Sequence, residues 1–91
     1  MHGSSAFETL LGQVVVIDLT SPFVILGKLS GVEGSYYIVE GADLHDLRDT
    51  TTTRDVYVLD AKRHGVNSNR KRAFVRCDGV VGISLLADVI D

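Results

Sequence analysis

The residues best suited to chemistry in this 91-residue chain are cations. Lys62, Arg63, Arg70, Lys71, Arg72 and Arg76, six of its nine lysines and arginines, all fall within residues 61–76, where no acid stands. Residues 1–60 carry only Lys28, Arg48 and Arg54 against nine carboxylates, so the net charge of -3 hides a strong asymmetry. A basic block of this kind is either an electrostatic footprint for a polyanion or a solvated rim, and the sequence leaves both open. Arg76 is the most pointed of the six. It stands at the lip of Cys77, Asp78 and Gly79, and Asp-Gly is the strongest short hairpin signal, which predicts a turn joining two strands. A guanidinium there can bind phosphate or stack on a base, or it can pair with Asp78 or with a neighbouring carboxylate.

Two other groupings carry less. His45 lies within "DLHD" at residues 43–46, but one histidine between aspartates, with no second histidine or cysteine beside it, supplies too few ligands for a structural zinc site. Cys77 and His64 are a conceivable nucleophile and base, yet nothing in the sequence brings them together or supplies an oxyanion site. Catalysis, as in a small hydrolase, is the least favoured class, and no metal or cofactor is called for.

What positions these residues is a single small domain over residues 1–91. A chain this short buries only about 60–65% of the surface its unfolded form exposes, so its own core is marginal. Cys77 is the only cysteine, which excludes an internal disulfide and fits a reducing, cytoplasmic setting. No apolar run approaches the length of a membrane span, and "MHGSSAFETLLG" lacks the basic head and apolar run of a signal peptide. A soluble protein with no membrane partner is expected. The chain is nevertheless 45% hydrophobic with a positive mean hydropathy, and so small a domain with that composition is expected to cover apolar surface against another subunit.

Along the chain, "SAFETLLG" has the marks of a short α-helix of about two turns, with Ser5 as cap, Glu8 three residues on and Gly12 as its stop. "QVVVIDL" and "FVILGKLS" read as β-branched strands separated by "TSP", "GVEG" at residues 31–34 as the next turn, and "SYYIVEGA" as a third strand. Gly27 in mid-strand is costly unless the strand bends sharply or another backbone comes close. Residues 43–55 are polar without alternation and read as a loop. A helix is expected over about residues 53–64, with Thr52 and Asp55 as a capping box and Val56, Leu59 and Arg63 at helical spacing. "NSN" is a loop, and "RKRAFVR" and "VVGISLL" are strands four and five. Short meandering strands with a glycine in mid-strand suit a small, strongly bent antiparallel barrel.

This order and spacing resemble the Sm-like (LSm) family. Its first motif is similar to Gly12, then Val15, Ile17 and Leu19, then Ile25, Gly27 and Leu29, then Glu33. Its second resembles Val75, Arg76 and Cys77, the turn residues Asp78 and Gly79, then Val80 and Ile83. The likeness covers residues 5–42 and 72–86 and leaves 43–71 as an enlarged, helix-bearing insertion between strands three and four. It implies a mainly β, Sm-like fold: a short N-terminal α-helix and a five-stranded, strongly bent antiparallel sheet, a small open barrel. It also implies a homo-oligomeric ring of about five to seven subunits in which strand four of one copy pairs with strand five of the next.

The resemblance further implies single-stranded, uridine-rich RNA at the pore. It maps the acidic position to Glu33, the base-stacking position to Ser35, the asparagine position to Tyr37 and the arginine to Arg76, beside Asp78. Serine cannot stack on a base, tyrosine lacks the paired amide groups that read a uracil edge, and Cys77 stands where the motif has glycine. Tyr36 or Tyr37 can still offer a stacking face, and strand alternation turns only one of them to the core. The expected RNA contacts are therefore Glu33, Tyr36, Tyr37, Arg76 and Asp78 at the pore, with Lys62, Arg63, Arg70, Lys71 and Arg72 forming a basic face on one side. The rival expectation is a scaffolding ring that binds a protein partner and no RNA.

Overall fold

The structure, a computed structural model, describes residues 6–91. A 3-10 turn at Ala6–Leu10 leads into strands β1 (Val14–Leu19), β2 (Phe23–Glu33) and β3 (Tyr36–Asp46). After a 3-10 turn at Leu47–Asp49 come helix α1 (Arg54–His64), strand β4 (Arg70–Arg76), a 3-10 turn at Cys77–Gly79, strand β5 (Val80–Leu85) and a last 3-10 turn at Leu86–Asp88. The strands form one antiparallel sheet in the order β4-β3-β2-β1-β5. The mainly β architecture and the helix between the third and fourth strands are as expected. Among the described residues no helix is long and apolar enough to cross a membrane.

The apolar runs in β1 and β2 are continuous because both faces of these strands are covered. Val15, Ile17, Ile25 and Leu29 point into an inner core that also holds Val39, Ala42 and Val75. Val16, Val24 and Leu26 point the other way, against Val58 and Ala61 of α1 and against Leu86. Ile83 of β5 packs on the same inner core as Val75 of β4. In a flat five-stranded sheet these two edge strands would lie about 19 Å apart, four spacings of about 4.8 Å, so a shared core means that the sheet curls over itself. Gly27 permits the curl. A Cβ there would come within 2.6 Å of Val39 Cγ1 and 3.1 Å of the Ala42 Cα, and the β2–β3 register shifts between Leu26 and Lys28. The sharp bend and the close backbone thus occur together at this residue.

Several expectations are corrected. The short N-terminal helix is present, in 3-10 rather than α form, and the Ser5 cap lies outside the described residues. Gly12 does close the element in the left-handed region, with φ 81°, because its N–H must turn back to the Leu29 carbonyl, 2.7 Å away. "GVEG" is not the turn. β2 runs on to Glu33, a register shift between Leu29 and Gly31 absorbs the glycine, and the reversal falls at Gly34 and Ser35, with Gly34 at φ 57°.

Residues 43–46 are strand rather than loop, because they pair with Leu26 through Phe23 and bury Ala42 and Asp43. The cap of α1 is Thr53, whose hydroxyl accepts the Val56 N–H at 3.3 Å, one residue beyond the expected Thr52. The inward face of α1 is Val58 and Ala61, while Val56 is exposed. Finally, Asp78 and Gly79 make no hairpin: β4 and β5 are opposite edges of the sheet. The chain turns there in a single 3-10 turn in which the Val80 N–H bonds the Cys77 carbonyl.

Candidate nucleic-acid interface

The register of β3 on β4 gathers residues distant in sequence. Tyr36 lies opposite Arg76 and Tyr37 opposite Val75. Tyr36 also lies opposite Glu33 across the β2–β3 turn. The Cys77 N–H donates to the Ser35 carbonyl at 2.8 Å, so the turn at residues 34–35 and the one at Cys77–Gly79 sit side by side. Glu33, Ser35, Tyr36, Arg76, Cys77 and Asp78 therefore share one end of the sheet.

The two tyrosines have different roles there. Tyr37 packs on the inner core, with its ring centroid 5.9 Å from that of Phe7 and the planes tilted by 33°. Burial, with the neighbouring Cys77 thiol adding to it, pushes the Tyr37 hydroxyl above its usual pKa. Tyr36 is 42% exposed. Beside it the Arg76 guanidinium, itself exposed, donates to Asp78 at 2.9 Å.

The basic block divides. Lys62 and Arg63, at the end of α1, both reach Asp91 at 3.3 Å, and Lys62 also bonds the Val89 carbonyl. These two cations hold the Asp91 carboxyl below its ordinary pKa. Arg70, Lys71 and Arg72 lie along β4, where Arg72 pairs with Glu40 at 2.8 Å and Arg70 donates to the Asn69 carbonyl at 2.9 Å. The helix-end pair and the strand cations are thus anchored to different parts of the chain. Sequence reading passed over Phe74, which stands between Arg72 and Arg76 on the outer side of β4 and is 60% exposed. The signal was in "RKRAFVR", whose alternation opposes Phe74 to the inward Ala73 and Val75.

"DLHD" is a structural network. Asp43 accepts hydrogen bonds from the Tyr57 hydroxyl and, at 3.3 Å, from Asn69 Nδ2. His45 stacks on Tyr57, with ring centroids 3.7 Å apart. Asp46 takes two hydrogen bonds from the Arg48 side chain, which with the Arg48 backbone N–H hold its carboxyl below the usual range. Among the described residues no group of three or more His, Cys, Asp or Glu side chains converges as a metal site.

No family model matches the chain, and no curated protein matches it. Solved structures do. A Pyrococcus abyssii Sm protein in complex with a uridine heptamer superposes with a TM-score of 0.58 at 17% identity, covering 90% of this chain and 99% of that one. A heptameric archaeal Sm protein gives a TM-score of 0.59 at 18% identity, over 90% and 97% of the two chains. The chain has the Sm-like fold. The chain also matches a chain of the NatC complex bound to CoA, with a TM-score of 0.58 and 12% identity over 92% and 88% of the two chains. Among the described residues β4 and β5 are the two edge strands of this sheet, each paired on one side alone.

Proposed function

We propose that this chain assembles edge to edge, β4 on β5, into a homo-oligomeric Sm-like ring that binds single-stranded RNA where its two turns meet. Unpaired edges are a liability in any sheet, and a heterologous joint between them closes into a ring when the rotation per joint divides a full turn. The exposure of Phe74 on one edge and of Val81, at 68%, on the other supports such a joint.

The observation that carries the RNA reading is the pairing of Tyr36 with Arg76, both exposed, at the end where both turns lie. An aromatic face beside a guanidinium offers a stacking platform and a phosphate contact in one place. Ring closure repeats that pair around an axis. Glu33 and Asp78 border it, Tyr37 supports it from the core, and Arg70, Lys71 and Arg72 continue the positive charge along β4. Lys62 and Arg63, tied to Asp91, contribute at a separate place. With Ser35 and Tyr37 at the motif positions, recognition rests on stacking and phosphate contact more than on base edges, so a binder of modest sequence preference is expected, not an enzyme.

Native mass measurement combined with filter retention of a uridine homopolymer and a mixed RNA at two salt concentrations tests this. A multimer that retains both RNAs, more weakly at high salt, is expected. A multimer that retains neither at low salt would remove the RNA reading and leave a scaffolding ring.

A further inference from the structure

Between α1 and the β5 edge lies a groove of about 390 Å³, floored by Val16, Val58, Leu59 and Val89 and bordered by Asp18 and Asp55. The Arg54 guanidinium partly offsets the Asp18 charge from 3.6 Å. The groove opens at β5, since Ser84 borders it. Ser84 pairs with Val16, and Val16 belongs to the sheet face that α1 covers.

The opposite edge carries a matching side chain. Ala73 and Val75 of β4 face the inner core, so strand alternation puts Arg70, Arg72, Phe74 and Arg76 on the outer face, the same face on which the groove lies. Phe74 has little cover within its own copy.

We propose that this groove is the socket for Phe74 of a second copy. The proposal rests on the edge-to-edge reading above. When β4 of one copy continues the sheet beyond β5 of another, with both inner cores kept on the same side, Phe74 falls on the outer face beside Gly82 and Ser84. One strand spacing, about 4.8 Å, then separates it from the mouth of the groove. Filling the groove removes the ring and the apolar floor from water together. The inserted ring stands on one edge and its socket at the other, so the joint has a direction, β4 into β5. The inserted helix α1 is on this account a wall of the joint between copies.

The test removes the native thiol by Cys77→Ser and pairs Phe74→Cys with Leu59→Cys. Mild oxidation is expected to convert the assembly into a ladder of covalent multimers on a denaturing gel, while neither single cysteine variant gives a ladder. Independently, Phe74→Asp, at an exposed position that leaves the core intact, is expected to raise the concentration at which the assembly dissociates by at least about tenfold. An assembly of wild-type mass that gives no ladder, together with Phe74→Asp dissociating at the wild-type concentration, would overturn the socket and leave the ring standing. A wild-type protein that is monomeric by native mass would overturn both.

Discussion

Tyr57 of α1 donates its hydroxyl hydrogen to the Asp43 carboxylate on β3, a side chain only 3% exposed. This contact ties the insertion helix to the third strand. The carboxylate is almost dry and also accepts from Asn69, so removing the hydroxyl leaves a buried acceptor short of a donor. Tyr57→Phe is expected to cost about 1–3 kcal/mol of stability, read as a lowered urea midpoint.

The same contact sets a pH dependence. Burial and the Asp43 carboxylate push the Tyr57 hydroxyl well above its ordinary value of 10.0. Above that value the unfolded chain has released a proton that the folded chain still binds, so stability, complete at lower pH, falls as pH rises. Urea midpoints compared between about pH 9 and about pH 11 should therefore decline in the wild type and decline less in Tyr57→Phe. Tyr37, raised in the same direction, contributes to the slope that remains. Equal declines in the two proteins would contradict this account.

Gly27→Ala should be costly for a different reason. The nearest neighbours of the added methyl include the Ala42 Cα and the Glu40 carbonyl, each at 3.1 Å, and backbone cannot rotate away as a side chain can. A loss of about 1–3 kcal/mol is expected, measurable as a drop in melting temperature.

Tyr36 and Tyr37 should separate binding from folding. Tyr36→Ala is expected to weaken RNA by about 1–3 kcal/mol per stacked base and leave the melting temperature near that of the wild type. Tyr37→Ala removes a half-buried ring that packs against the inner core and should lower stability measurably, by less than the ~3–5 kcal/mol of a fully buried ring. Paired RNA titrations and melts of the two variants check this, and a reversed pattern would move the stacking face to Tyr37.

Charge along β4 can be read from salt dependence. Replacing Arg70, Lys71 and Arg72 with alanine should flatten the plot of log affinity against log salt by about two units if all three meet phosphates of a single strand. The same change at Lys62 and Arg63, which lie at the end of α1 and not along β4, should alter that slope less.

Where local pattern decided structure, the sequence was a good guide. "RKRAFVR" is β4, residue for residue, and the helix expected over about residues 53–64 is α1 at Arg54–His64. Where distant partners decided it, the guide failed. Residues 43–46 look like loop because their polarity is explicit, whereas Tyr57 and Asn69, which make a buried Asp43 tolerable, lie elsewhere in the chain. Gly31 looks like a turn because nothing local announces the register shift that absorbs it. At the candidate site, the types and positions of Arg76 and the tyrosines were visible in the sequence. Which tyrosine faces outward is set by the register of β3 on β4, and that Arg76 meets Asp78 in the same chain was only one of the pairings left open.

Only Cys77–Gly79 separates the two edges of the sheet. Strands β4 and β5 therefore leave a common pivot, and the angle between them is fixed within a single copy. For copies joined by these edges, that angle is the wedge each one fills in a closed circle. Residues at the pivot can then alter the number of copies needed to complete a turn while every contact between neighbours stays the same.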